Sequence, residues 1–148
     1  MFRKEILTSI EIQAGADHVW QVLTDFRAYQ EWNPMIRYAE GEALPGSRLK
    51  VYFQPAGHKR PRIFRPKLIT VVPGLELRWL GWPRFPGILD IDHYWILNPM
   101  GNDRTHLLHG TAILGLLASL SGHLLEDSTR RAFIAMNMAH KARAEQLP

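Results

Sequence analysis

Two histidines occupy inward-facing positions on consecutive predicted strands, His93 on one and His109 on the next. If the turn between these strands is centred on Gly101, His93 faces His109. The same register places Trp95 opposite Leu107, and side chains of such cross-strand pairs lie about 5 Å apart. Because imidazole titrates near neutral pH, the two histidines are suited to bind the polar end of an apolar ligand, or to act as a general acid and base.

A structural explanation competes with this chemistry. Buried polar groups are normally hydrogen-bonded without being catalytic, so each histidine can simply form a hydrogen bond with a neighbouring group in the core. A metal site needs at least a third ligand, and the sequence places none beside His93 and His109. We therefore predict no metal and no other cofactor, and both interpretations of the histidine pair stay open.

The periodicity of the chain predicts the elements that position this pair. Residues 4–13 alternate between apolar and polar types, which is typical of a half-buried strand. Helical spacing from residue 16 to about residue 25, and again around Tyr29 and Trp32, predicts two short helices that end at Pro34. Turn residues then recur at intervals of about ten, which indicates an antiparallel meander. A long C-terminal helix follows, because no helix breaker lies between Gly122 and Pro148.

This order of elements predicts an α+β fold. A seven-stranded antiparallel sheet must hide one apolar face, and the C-terminal helix is the only large apolar partner available to cover it. We predict a curved sheet wrapped around that helix, with two short helices after the first strand. The whole chain, residues 1–148, forms a single domain on this interpretation. Pro66 makes its strand an edge strand or marks a bulge.

Large apolar side chains fill the inward positions of these elements. Strand parity and the apolar stripe of the long helix select six of them: Phe53, Trp79, Trp95, Leu107, Phe133 and Met136. They either fill a solid core or line a cavity, and composition alone favours the solid core. Asn137, beside Met136, either anchors a nearby loop or reaches a ligand.

Composition limits the classes to which the protein can belong. The chain has 148 residues, of which 46% are hydrophobic and 22% charged, as in folded globular proteins. It contains no cysteine, which excludes disulfides and thiolate nucleophiles. Its longest apolar stretch, residues 113–120, is much shorter than the ~20 residues of a membrane span, and no signal-peptide pattern opens the chain. We predict a cytoplasmic protein without a transmembrane segment.

Basic residues are concentrated in one segment, residues 57–67. A solvated hairpin tip explains this segment, and a weak contact of residues 58–67 with an anionic surface is the functional alternative. Nucleic-acid modules interleave exposed aromatic residues with basic ones, whereas Phe64 is the only aromatic residue here and its parity points it inward. We therefore predict no binding to nucleic acid.

Several segments resemble the SRPBCC superfamily, the helix-grip proteins that include START lipid-transfer domains, birch-pollen allergens and polyketide cyclases. The resemblance extends from about residue 5 to residue 144. The segments that carry it are residues 10–14, 19–26, 29–34, 75–79, 92–97, 115–117 and 133–141. These motifs mark turns, caps and packing positions, and they transfer no catalytic residue to this chain.

The resemblance implies a deep apolar cavity between the sheet and the long helix, lined by the side chains selected above, with Trp32 at its mouth. The structural alternative for Trp32 is that it only packs the short helices against the sheet, as the stop signal at Pro34 favours. It favours the binding or transport of a small hydrophobic molecule such as a lipid, sterol, polyketide or aromatic compound. One alternative is a cyclase, dehydratase or hydrolase that uses His93 and His109 as acid and base. Another is a protein-interaction module, as in co-chaperone-like relatives. The classical motifs of hydrolases, phosphate-binding loops and dinucleotide-binding enzymes are missing from the sequence. The oligomeric state cannot be predicted.

Overall fold

A computed structural model describes residues 2–54, 60–82, 89–116, 118 and 123–146. A 3₁₀ turn, Phe26–Ala28, links the first two helices. In chain order, the elements are β1 (Phe2–Ile12), α1 (Ala16–Thr24), α2 (Tyr29–Trp32), β2 (Ile36–Glu40), β3 (Lys50–Phe53), β4 (Arg62–Phe64), β5 (Lys67–Val72), β6 (Glu76–Gly81), β7 (Asp90–Pro99), β8 (Thr105–Gly115) and α3 (His123–Gln146).

The strands form two antiparallel sheets. The larger sheet has five strands in the order β1-β8-β7-β6-β5, and the smaller has three in the order β2-β3-β4. The long helix α3 lies against the larger sheet and contacts β1 most extensively. The predicted helix-grip architecture is confirmed, but the predicted single sheet of seven strands is not, because the described residues form eight strands in two sheets.

Pro66 accounts for the division into two sheets. The predicted strand that contains Pro66 is divided in two, since β4 ends at Phe64 and β5 begins at Lys67; each part lies at the edge of its sheet, as predicted. Proline has no N–H to donate to a ladder, so the chain changes partner there: β4 pairs with β3, and β5 pairs with β6. Counted as one strand interrupted at Pro66, β4 and β5 restore the seven strands expected.

The β7–β8 hairpin has a different register from the predicted one. Trp95 lies opposite His109 rather than Leu107, and His93 lies opposite Thr111 rather than His109. Asn102 and Asp103 both adopt left-handed backbone conformations, with φ of 53° and 54°, and they lengthen the turn beyond the one centred on Gly101. Moving the centre of the turn by one residue shifts every pair by two, which leaves each side chain on its predicted face.

The core lies between the inner face of the larger sheet and α3. The apolar stripe of α3 begins at Phe133 and Met136 and continues to Ala144, and all three are buried. Two polar residues, Asn137 and His140, interrupt this stripe and are equally buried. Because buried polar groups require partners, these two residues mark the places where α3 makes specific contacts.

Candidate functional site

His93 and His109 are in direct contact at the centre of the inner face. Their Nε2 atoms are 2.7 Å apart, although the two residues are diagonal neighbours rather than a directly opposed pair. His109 is fully buried, whereas His93 retains 8% of its exposure. The sequence therefore placed the pair together correctly, and His93 is the member of the pair nearer to solvent.

A closed set of hydrogen bonds holds His109. Thr8 Oγ1 donates to the carbonyl oxygen of His109 at 2.7 Å, and this uses the single hydroxyl proton of Thr8. Asn137 Nδ2 donates to Thr8 Oγ1 at 2.8 Å. Asn137 Oδ1 is consequently left facing His109 Nδ1 at 2.7 Å, so that Nδ1 must carry a proton.

This arrangement fixes both tautomers. In the neutral ring, protonation at Nδ1 leaves His109 Nε2 as an acceptor, so His93 Nε2 must be the donor across their contact. His93 Nδ1 then carries the lone pair of its ring. The pair therefore offers an acceptor on the side of His93, the residue nearer to solvent.

Three aromatic rings surround the pair. His109 stacks on Phe133 with ring centroids 4.1 Å apart, and His93 stacks on Trp95 at 4.2 Å. Trp79 meets His93 edge-on, with centroids 5.0 Å apart. We call Trp79, His93, Trp95, His109 and Phe133 the aromatic cluster. Its members come from β6, β7, β8 and α3, so the cluster joins the sheet to the long helix.

Burial keeps both histidines uncharged near neutral pH. Desolvation, together with the neighbouring His109, holds the pKa of His93 well below its ordinary value. Desolvation also lowers the pKa of His109 to about 3, against the opposing effect of its hydrogen bond with Asn137. The two histidines are thus uncharged polar groups surrounded by apolar aromatic rings.

Two further polar atoms flank His93 and have no hydrogen-bond partner among the described residues. They are Trp79 Nε1 and Thr111 Oγ1. Trp79 lies opposite His93 on one neighbouring strand, and Thr111 lies opposite it on the other. Sequence reasoning did not single out either atom, because an unpaired hydrogen-bonding group is recognised only once every possible partner has a position.

The other predicted site residues lie outside the aromatic cluster. Leu107 and Met136 are buried in the core, and Phe53 is half-buried against it. Trp32 packs on the ring of His140, with centroids 5.3 Å apart, and also on Tyr29. The structure thus brings together Trp79, Trp95, Phe133, Asn137 and the two histidines, while Trp32 belongs to a second aromatic group near the end of α3.

The surface clefts formed by the described residues include two that are not lined by the aromatic cluster. One, of about 160 Å³, lies between α1 and the end of α3 beside Trp32 and Arg143. The other, of about 380 Å³, is lined by the basic side chains Arg27, Arg48, Lys50 and Arg65.

The basic segment is only partly described. Residues 57–59 lie outside the described residues, while Arg62, Arg65 and Lys67 are exposed. Within the described ranges, no three histidine, aspartate or glutamate side chains are grouped as a metal site requires. Over the same residues, no helix combines the length and the apolar character that a membrane crossing needs.

Comparison with solved structures identifies similar folds. The chain superimposes on the Zhui aromatase/cyclase from Streptomyces sp. R1128 with a TM-score of 0.80 and 18% identity, covering 98% of this chain and 95% of that one. A START superfamily protein from Mycobacterium smegmatis gives a TM-score of 0.77 at 18% identity, with 97% and 99% covered. Norcoclaurine synthase from Thalictrum flavum gives 0.71 at 16% identity, with 99% and 89% covered.

Sequence comparison adds the family. No curated protein sequence matches the chain. The family model described as polyketide cyclase/dehydrase and lipid transport matches residues 3–113, which include β1, both short helices and most of the strands. This match covers well over half of the chain, and the fold agrees with it. The protein therefore belongs to the polyketide cyclase/dehydrase and lipid transport family.

Proposed function

We propose that the protein binds a small hydrophobic molecule between the larger sheet and α3, against the aromatic cluster, and carries it without changing it. The observation that supports this proposal is the chemical character of the cluster. It combines the flat faces of Trp79, Trp95 and Phe133 with two histidines whose tautomers are fixed. Ligand sites commonly combine an apolar lining with a few oriented polar groups in this way.

The charge state of the pair favours binding over turnover. A general acid must be protonated at the working pH, and a catalytic pKa is best placed near that pH. The pKa of His109 is about 3, so His109 is almost entirely neutral at pH 7. His109 is also fully buried and bonded on both nitrogens, so it is better suited to orient His93 than to exchange protons with a ligand.

Native mass spectrometry of protein purified gently from its own cells tests the proposal. We expect a stoichiometric apolar compound to be released on denaturation and to rebind the stripped protein. Phe133→Leu removes a stacking face and should weaken rebinding about tenfold, whereas Phe26→Leu, a buried substitution beside Tyr29, should not. If the protein carries no compound and takes none up from a lipid and polyketide extract, the proposal is wrong. That result would favour a protein-interaction module instead.

A second candidate function is acid–base catalysis of a cyclisation or dehydration on a polyketide-like substrate. The observation that favours it is the 2.7 Å contact between the two Nε2 atoms. His93 Nδ1 would accept a proton from the substrate while His93 Nε2 passes its own proton to His109 Nε2. The positive charge would then rest on His109, where Asn137 Oδ1 stabilises it.

Product formation decides between the two candidates. A poly-β-ketone thioester mimic is incubated with the wild-type protein, with His93→Gln and with His106→Gln, since His106 lies on the opposite face of β8 from His109. Turnover by the wild type and by His106→Gln, abolished in His93→Gln, would establish catalysis. Recovery of unchanged mimic from all three proteins would reject the enzyme and leave the carrier.

A further inference from the structure

The polar atoms of the row Trp79, His93 and Thr111 define what kind of ligand group fits beside the aromatic cluster. Trp79 and Thr111 are 2% and 3% exposed, and each leaves a polar side-chain atom unpaired in the described structure. Native proteins rarely bury hydrogen-bonding groups without partners, because each such group costs free energy. A bound molecule that supplies the missing partners would remove this cost.

The three side chains offer complementary hydrogen-bonding roles. The indole Nε1 of Trp79 can only donate, and His93 Nδ1 can only accept once His93 Nε2 donates to His109. The hydroxyl of Thr111 can do either. The three residues are directly opposed across β6, β7 and β8, so Trp79 and Thr111 lie on either side of His93, each about one strand spacing, ~4.8 Å, from it.

Only some ligand groups match this row. A hydroxyl accepts from Trp79 and donates to His93, and therefore satisfies both. A carboxylate only accepts, so it would face the lone pair of His93 Nδ1. A buried carboxylate also needs a counter-charge. Among the described residues, the side chains that hydrogen-bond to or stack on the two histidines are aromatic rings, Thr8 and Asn137. Desolvation also lowers the pKa of the neighbouring His140, to about 4, so it is uncharged near neutral pH. The row therefore discriminates between polar groups of nearly the same size.

We infer that the ligand is an uncharged hydroxyl compound, an alcohol or a phenol, whose oxygen sits against Trp79, His93 and Thr111, and that carboxylates are rejected. This inference rests on the proposed function, since it names the polar group of a ligand bound at the same cluster. It separates this protein from a carrier of fatty acids, whose head group is a carboxylate.

Calorimetric titration with three matched probes tests the inference on the full chain. The probes are 2-naphthol, 2-methylnaphthalene and 2-naphthoate, which share one ring system and differ in a single substituent. We expect 2-naphthol to bind about tenfold more tightly than 2-methylnaphthalene, and 2-naphthoate to bind most weakly. In Trp79→Phe the preference for hydroxyl over methyl should shrink to about twofold or less, while Trp82→Phe should retain it, since the ring of Trp82 lies beside Arg48 and outside the aromatic cluster.

Thr111→Val provides an independent variant of nearly equal volume, in case Trp79→Phe does not fold. It should also reduce the preference for hydroxyl over methyl. Equal binding of 2-naphthol and 2-methylnaphthalene to the wild type, or tightest binding of 2-naphthoate, would overturn the inference and leave the proposed function intact. A hydroxyl preference unchanged in both variants would also overturn it. Failure of all three probes to bind would instead count against the proposed function.

Discussion

The Nδ1 atom of His109 lies 2.7 Å from Oδ1 of Asn137, and this contact joins strand β8 to helix α3. Asn137 in turn donates to Thr8 on β1, so one amide side chain connects three elements. The sheet and the helix are therefore held in register by a polar contact within an otherwise apolar interface.

Removal of Asn137 should destabilise the fold. In Asn137→Ala, the N–H of His109 and the hydroxyl oxygen of Thr8 both lose a buried partner. Unsatisfied buried groups of this kind cost about 1–3 kcal/mol each, so we expect the free energy of unfolding to fall by about 3 kcal/mol in urea titrations. Asn98→Ala, an exposed substitution on β7, should change it by less than about 0.5 kcal/mol. A loss below about 1 kcal/mol in Asn137→Ala would show that water replaces the amide.

Stability should decrease as the solution becomes acidic. The pKa values of the buried His109 and His140 are lowered to about 3 and about 4, mainly by desolvation. The unfolded chain, with histidine pKa values near 6.5, therefore binds protons that the folded chain cannot bind until the pH approaches 4. The free energy of unfolding should stay constant between about pH 7 and about pH 8 and should fall below pH 6.5, by about 2 kcal/mol for each of these residues at pH 5.

Urea midpoints measured between pH 8 and pH 4 test this expectation, over roughly the range in which the histidines titrate. The control is Asn98→Ala, an exposed substitution that removes no titrating group and should leave the pH profile unchanged. His140→Gln retains a donor for the carbonyl oxygen of Val19 and should flatten the profile. An identical slope in His140→Gln and the wild type would mean that carboxyl groups, rather than buried histidines, cause the acid sensitivity.

Substitution of Gly81 should disturb the contact between the two sheets. The ring of Phe64, on β4, covers this glycine of β6, and a Cβ at position 81 would approach Phe64 Cε2 to 2.7 Å. We expect Gly81→Ala to cost about 1–3 kcal/mol by thermal or urea unfolding. Phe64→Leu in the same chain should recover part of that loss, because the shorter side chain leaves room. Gly15→Ala, whose Cβ would meet nothing closer than 3.6 Å, is the matched control, and equal losses at both glycines would contradict this account.

The basic segment should bind anionic surfaces weakly. Arg62, Arg65 and Lys67 are exposed, and a basic residue near an anionic membrane contributes about 1 kcal/mol at low salt. We expect sedimentation with phosphatidylserine vesicles at about 20 mM salt and its loss at about 150 mM, where charges are screened beyond ~8 Å. Arg65→Glu should weaken sedimentation at low salt, while Arg131→Glu, on the exposed side of α3, should not. Equal sedimentation of both variants would indicate that net charge alone is responsible.

The alternation of apolar and polar residues was enough to predict which side chains lie on the inner face of the larger sheet. Alternation put His93, Trp95 and His109 on the same side, and the structure confirms this, because alternation depends only on the pleat of each strand. The exact partner of each residue depends on the turn. Asn102 and Asp103, both in left-handed conformations, lengthen the turn by two residues, and the pattern of apolar residues does not show such a change.

Contacts between distant segments were harder to predict. Thr8 occupied the apolar side of the first predicted strand, which was the available signal for a buried polar role, but its partner Asn137 lies 129 residues away. The contact between Trp32 and His140 could not be predicted either, since it forms only when α3 packs across the sheet. Hydrogen-bond complementarity among segments so far apart depends on the assembled fold, and local sequence patterns do not contain it.

The break at Pro66 also separates the molecule into units of different local stability. Backbone hydrogen bonds from Gly46, Leu49 and Leu68, beside the bridge between Arg48 and Lys67, join the smaller sheet to the larger in the described structure. By contrast, ten residues of β7 pair continuously with β8. The few hydrogen bonds that join the two sheets can break at a lower free-energy cost than the continuous ladder between β7 and β8. Amide protons of β2–β4 should therefore exchange with solvent through partial openings that leave β7 and β8 protected. The smaller sheet can then separate from the larger one while His93 and His109 keep their positions.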